Sequence, residues 1–279
     1  MHLNPICGSL AVALSVVFLP PAWADARLTY TDTGLGAPVP TRTTSIQIQG
    51  DKVRMEEAGS GIYSLYDHSK QTLHTVNTHA RQYLESSLDK VRQRMEKMLV
   101  IQTRMQTQLR QQMALLPPEQ RQQAEAQMQQ AEAMKKAPAP VASQQNTGKT
   151  EQIQGIPCNI TNVLMNGAPV RELCNATQPV LDEADYQRLL GMFTYMDSMV
   201  TVAAQTQGIT PPPADAGSAS IHKQGVALRV QALPTGPRSE LTAISKDKLE
   251  ASLFELPVGF ALYEPSDAPN PPPTQSTPQ

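Results

Sequence analysis

The chain has 279 residues, with 23 Lys and Arg against 25 Asp and Glu, a net charge of −2 and a pI near 6.2. Without a basic excess, nothing marks it for nucleic acid or for an anionic membrane surface. Hydrophobic residues at 40% and aromatics at 4% allow a lean core, and 24 Pro together with Gln-rich tracts mark stretches that need not join it.

The opening "MHLNPICGSLAVALSVVFLPPAWADA" runs apolar from Leu10 to Leu19, then turns at Pro20-Pro21 and ends small-x-small at Ala22-Trp23-Ala24. Residues 1–24 are therefore expected to be a signal peptide cut before Asp25, although no Lys or Arg precedes the apolar run. About ten apolar residues are too few to span a bilayer, which needs about 20. Cys7 stands ahead of the apolar run, the wrong order for a lipid anchor. No later segment is long and apolar enough to cross a membrane, so the chain reads as exported and not membrane-spanning.

Residues 25–84 are assigned to a first β-meander, read from Thr43 onward. "TTSIQIQ" alternates, with Ile46 and Ile48 on one face; "KVRMEE" places Val53 and Met55 likewise. Turn residues at Gly50-Asp51, Gly59-Ser60-Gly61, His68-Ser69-Lys70 and Asn77-Thr78-His79 separate the runs, as in an antiparallel sheet. From Leu84 the period changes. Leu88, Val91, Met95, Met98, Gln102, Met105, Leu109, Gln112 and Leu116 follow a heptad seam, stopped by Pro117-Pro118. Residues 85–136 thus read as an inserted helical hairpin, its first helix about 50 Å long and overhanging the domain. Eleven Gln lie between Gln102 and Gln130. Residues 137–149 read as a linker. Their "TGKT" is no phosphate loop, because Ser143 stands where the motif needs Gly and a linker precedes it where a strand should. Residues 150–264 hold the remaining strands and one packing helix, capped by Asp182, with an apolar stripe through Leu189, Phe193 and Met196. The tail 265–279 is Pro-rich and expected to be disordered.

Cys158 and Cys174 flank Asn166-Gly167, a hairpin signal. A three-residue loop with Gly167 in a bulge would set Cys158 directly opposite Cys174, within reach of a disulfide. A metal site would want close Cys or His pairs, and a redox pair a Cys-x-x-Cys; neither is present. In an exported chain the pair is expected to be oxidised.

The stretch "TEQIQGIPCNITNVLMNGAPVRELCNAT", with "SIQIQGDKVRME", "YSLYDHSKQTLHTVNTHARQYLE" and the closing "LFELPVGF", resembles a bacterial envelope family, domain of unknown function 4412. The resemblance covers most of the chain outside the helical insertion and the tail. It implies an α+β fold: a curved antiparallel sheet, an open half-barrel, with helices on its concave face, as in the periplasmic lipoprotein carriers. It also implies the periplasm of a Gram-negative bacterium, and no chemistry.

Motifs for catalysis are not found: no Gly-x-Ser-x-Gly, no His-Glu-x-x-His, and carboxylates that are scattered. His68, His74 and His79 read as exposed polar positions, so neither a metal nor a cofactor is expected. Asn159-Ile160-Thr161 and Asn175-Ala176-Thr177 match glycosylation sequons incidentally. Two non-enzymatic readings remain. In one, a lipid or lipidated protein sits between sheet and helices, against Ile46, Ile48, Val53, Met55, Leu189, Phe193 and Met196. In the other, an envelope protein docks on the hairpin at Met95, Met98, Met105 and Leu109.

Overall fold

The computed structural model describes residues 25–34, 41–135 and 140–264. The expected signal peptide and Pro-rich tail lie outside the described residues. The N-terminal half comprises β1 (Ala26–Thr33), β2 (Arg42–Gln49), β3 (Lys52–Glu57), β4 (Ile62–Asp67), β5 (Thr72–Asn77) and β6 (Gln82–Ser86), then α1 (Leu88–Ala114) and α2 (Pro118–Lys135). The C-terminal half holds β7 (Ala142–Ile153), β8 (Ile156–Met165), β9 (Ala168–Ala176), α3 (Glu183–Thr206), the short α4 (Ser218–His222), β10 (Ala227–Ala232), β11 (Arg238–Ser245) and β12 (Ala261–Leu262). All twelve described strands join one open sheet in the order β12-β6-β5-β4-β3-β2-β1-β11-β10-β9-β8-β7. Neighbours are antiparallel except β12, which adds to β6 in parallel. The class is α+β, an unclosed sheet carrying helices on one face.

The sheet begins at β1, earlier than the first alternating run read from Thr43. Ala26, Leu28 and Tyr30 alternate inward, and β1 pairs with both β2 and β11, so this short strand joins the two halves. Register then builds the core. Ile46 lies opposite Met55 and Ile48 opposite Val53, and Val53 lies opposite Tyr66. Directly opposed residues share a face, so an apolar floor forms across β1–β4. Across that floor lies α3, against β2 and β3. Leu189 and Met192 of α3 are fully buried there with Leu28, Ile48, Val53 and Tyr66. Tyr195, midway along α3, ties the helix to the end of β6 by donating to the Ser86 carbonyl.

The opposite face of β3–β6 is covered by the segment that holds "LFELPVGF". Tyr63, Leu65 and Val76 pack with Leu249 and Phe254 in a second cluster. Side chains of the sheet clamp its backbone: Gln49 donates to Leu249 O, Arg54 to Leu253 O and Lys52 to Phe254 O. The Arg54 guanidinium also lies 3.5 Å from the Tyr63 ring centre, a cation–π contact.

Two assignments are corrected. The residues read as a linker, 137–149, contain the start of β7, which runs from Ala142. Its sequence "ASQQNTGKTEQI" is polar and mostly exposed, because an edge strand pairs through its backbone on one side and buries neither face fully. The first helix spans 27 residues, about 40 Å, because Leu84 to Ser86 remain in β6 and Ser87 caps the helix by accepting from Lys90 N. Within "GITPPPADAGSAS", which follows α3, the short α4 begins at Ser218. Asp197 of α3 anchors it, accepting from Ser218 N at 2.9 Å and Ala219 N at 2.8 Å.

The hairpin register is also corrected. Asn166 and Gly167 both have positive φ, 51° and 82°, the two-residue turn that Asn-Gly favours, so Met165 pairs with Ala168. A bulge follows next to Pro169, which has no N–H for a ladder. As a result Cys158 faces Ala176 and Cys174 faces Ile160. The two-residue offset keeps both sulfurs on one face, and the disulfide forms with the Cα atoms 5.3 Å apart. Glu151 lies opposite Cys158 and Arg229 opposite Cys174. The Arg229 guanidinium reaches back over the disulfide to Glu151 Oε2 at 2.6 Å, and to Glu172 Oε1 at 3.0 Å. Its hydrogen bond holds the Glu151 carboxyl below the usual carboxylate range.

Two buried groups act against each other in acid. His222 stacks on Phe193 at 4.5 Å and its Nδ1 accepts from Ala227 N; burial pulls it down to about 4. Asp185, in the first turn of α3 beside Arg188, is pushed up to about 6 by burial and by Asp182. The unfolded chain protonates His near 6.5 and Asp near 3.9. As pH falls from 6.5 to 4, the unfolded state gains a proton at His222 that the folded state does not, which destabilises the fold. Over the lower part of that window the folded state gains a proton at Asp185 first, which stabilises it. Asp185→Asn removes only the second effect. Urea midpoints measured from pH 7 to pH 4 should therefore fall more steeply in the variant than in the wild type, and parallel curves would refute the Asp185 assignment.

Candidate functional site

The seven residues expected to line a sheet–helix pocket are brought together. Ile46, Ile48, Val53, Leu189 and Phe193 belong to one buried cluster, with Met55 and Met196 packed at its margin. They touch one another: α3 lies against the strands that carry them. A ligand between sheet and α3 has to displace these contacts.

The open apolar surface lies instead on α1. The seam divides along its length. Leu88 packs on the core, and Met95 meets the C-terminus of α3, where its sulfur accepts from Gln207 Nε2 at 3.2 Å. Beyond Met95 the helix leaves α3 behind, and Met98, Met105 and Leu109 are 54%, 58% and 48% exposed. An open groove of about 640 Å³ runs here, lined by Met98, Ile101, Met105, Leu109 and Gln207 among others. The second helix does not cover it. At the tip, Arg121 donates to the Ala114 and Leu116 carbonyls, closing the C-terminal end of α1. Met113, with Arg110, Arg121 and Met128, lines a separate space of about 430 Å³ between the helices.

With Met95 as a heptad a position, the groove residues are its a, d, e and g positions. From Met98 to Gln112 these are Met98, Leu99, Ile101, Gln102, Met105, Gln106, Gln108, Leu109 and Gln112, with no charge among them. Glu96, Lys97, Arg104 and Arg110 fall on b and c positions. The seam was legible in the sequence. That the stripe is uncharged across its full width shows once e and g positions are read with it. Met suits such a surface, since its thioether adapts to differently shaped contacts.

Polar chemistry offers less. Among the described residues, no group of three or more His, Cys, Asp or Glu side chains is placed to hold a metal ion. Instead, His74 lies near Glu85, whose carboxylate pairs with Lys90 at 2.8 Å, and His68 packs against Gly191 of α3. Asn175, one of the two sequon residues, is buried and donates to the Ile221 and Gly225 carbonyls. No helix among the described residues is long and apolar enough to cross a membrane.

Comparison with known proteins supplies a family. No curated protein matches the chain. Among solved structures, PNGF-II in its C2 space group aligns with a TM-score of 0.37 at 8% identity, covering 86% of this chain and 30% of that one. Its P21 form aligns with a TM-score of 0.37 at 9% identity, covering 83% and 30%. The chain therefore spans less than a third of PNGF-II. The LolA superfamily protein NE2245 from Nitrosomonas europaea aligns with a TM-score of 0.26 at 8% identity, covering 85% and 91%. The profile of a domain of unknown function, DUF4412, matches residues 68–260, which run from just after β4 to just before β12 and include the helical hairpin, the disulfide and the segment that covers β3–β6; the chain belongs to this family.

Proposed function

We propose that the protein is a non-enzymatic binding protein of the bacterial cell envelope, working in the periplasm through the uncharged stripe of α1. The observation that carries this reading is the exposure of Met98, Met105 and Leu109 along the open groove, while the sheet–helix interior is filled. Exposed apolar surface of this extent is retained where something covers it. The disulfide accords with an oxidising compartment. The ligand is the apolar face of a protein segment, laid along the helix as an amphipathic helix lies in a groove.

The test is a triple variant, Met98→Glu with Met105→Glu and Leu109→Glu, expressed in place of the wild type in its own host. These side chains support no core, so the far-ultraviolet circular dichroism spectrum of the folded variant should match that of the wild type. The variant should behave as a deletion of the gene does. A variant that restores the wild-type phenotype in full overturns the reading.

A second reading, a lipid or lipidated protein taken between sheet and α3, draws on the apolar character of Ile46, Ile48, Val53, Leu189 and Phe193. It requires α3 to lift from the strands. Native mass spectrometry of protein purified without detergent would show a lipid in fixed stoichiometry if this occurs, and a clean apo mass if it does not.

A further inference from the structure

We propose that the partner of the α1 stripe is a second copy of this chain, joined by antiparallel pairing of the two α1 helices between Met95 and Gln112. The inference rests on the reading of α1 as the working surface and names what covers it. In an antiparallel pair of heptad helices, each a residue meets a d residue of the other helix. The stripe is self-complementary in one such register. Met98 then meets Leu109 of the partner, Met105 meets Gln102, and Met95 meets Gln112, with each contact repeated by the two-fold axis. Every Gln of the seam falls opposite a Met, and no layer sets two amides or two charges against each other.

The flanks agree. The e positions pair Leu99 with Gln106 of the partner, and the g positions pair Ile101 with Gln108. An amide beside an apolar side chain keeps its own hydrogen bonds at the solvent edge. The exposed stretch matches the register: α3 covers the seam as far as Met95, and Met113 marks where α2 begins to pack. Apart from Met95, which α3 partly covers, the residues that the register uses lie between these limits. In this arrangement the two domains sit at opposite ends of the joined helices, because each is attached at its own Leu88 end, so the sheets do not collide. A membrane surface suits the stripe less well. Four of its nine residues are Gln, and all four amides would lose their hydrogen bonds in hydrocarbon, whereas in the pair Gln106 and Gln108 keep theirs at the solvent edge.

The register makes a prediction that few other arrangements share. Two single-cysteine variants, Met98→Cys and Leu109→Cys, are prepared as mature protein; the native cysteines of that segment are already joined. Under mild oxidation, mixing the two variants should yield a covalent dimer, while each variant alone should yield none. A parallel pair would instead cross-link each variant with itself and overturn the register. Sedimentation equilibrium of the wild type supplies the mass, expected to be that of a dimer, and the triple Glu variant should sediment as a monomer. A wild-type protein that stays monomeric at every concentration overturns the second-copy proposal, and binding only to vesicles assigns the stripe to the membrane. Neither failure touches the reading of α1 as the working surface, which falls only if the triple variant keeps its function. A dimer whose triple variant still functions would separate the two in the other direction.

Discussion

Leu189→Ala is expected to lower the stability of the fold by about 2–5 kcal/mol, the range for truncating a fully buried leucine. Leu189 sits at the centre of the α3 face, with no exposed surface, in the cluster that holds Ile48, Val53 and Tyr66. Its removal takes away the transfer energy of three carbons and leaves a void that the sheet closes only in part. The strands are held by their ladders on both sides, and α3 is tied to the sheet by Arg188, which pairs with Asp51, and by the Tyr195 hydroxyl, which donates to the Ser86 carbonyl. Urea denaturation followed by circular dichroism gives the loss, and an unchanged slope would show that the same surface is exposed on unfolding. The measurement also bears on how the protein binds. A loss under about 1 kcal/mol, far below that range, would mean that α3 rides loosely over the strands, and the lipid reading would then gain at the expense of the α1 stripe.

Breaking the disulfide with Cys158→Ser and Cys174→Ser together is expected to cost about 3 kcal/mol, from the chain entropy that a closed loop of this length removes from the unfolded state. The sequence separation is 16 residues. Local geometry adds a second expectation. The sulfurs lie under the Arg229–Glu151 pair, so the serines enter a covered position with two hydroxyls to satisfy. Cys158→Ala with Cys174→Ala avoids those hydroxyls and should be the less damaged of the two double variants. Thermal midpoints of wild type, reduced wild type and both variants decide it. Equal midpoints for the oxidised and reduced wild type would show that the β8–β9 hairpin is already held by its neighbours in the unfolded ensemble.

The two predictions fall on parts of the molecule that were unequally visible beforehand. Alternation in "TTSIQIQ" and "KVRMEE", the Asn-Gly turn, the Asp182 cap and the heptad seam are local signals, each set by the period of a strand or helix or by the φ that a turn demands. They sufficed for the first meander, the helical insertion and the pairing of Cys158 with Cys174, whereas the α+β class came from the family resemblance. β7 escaped because an edge strand of Gln, Thr and Asn buries neither face and so carries no alternation. The bulge beside Pro169 escaped because register depends on which carbonyls neighbouring strands take up, as Val170 O does from Leu233 N.

The apolar residues of β2, β3 and α3 and those of α1 look alike in sequence, since both are stripes of Ile, Leu, Met and Phe at regular spacing. Only the tertiary structure separates them. The chain places α3 across the sheet and lets α1 run past its end, so one stripe is filled by its own fold and the other, from Met98 to Gln112, is left exposed. Periodicity determines that a face is apolar; whether anything within the chain can reach that face depends on element lengths and on where the helices lie over the sheet.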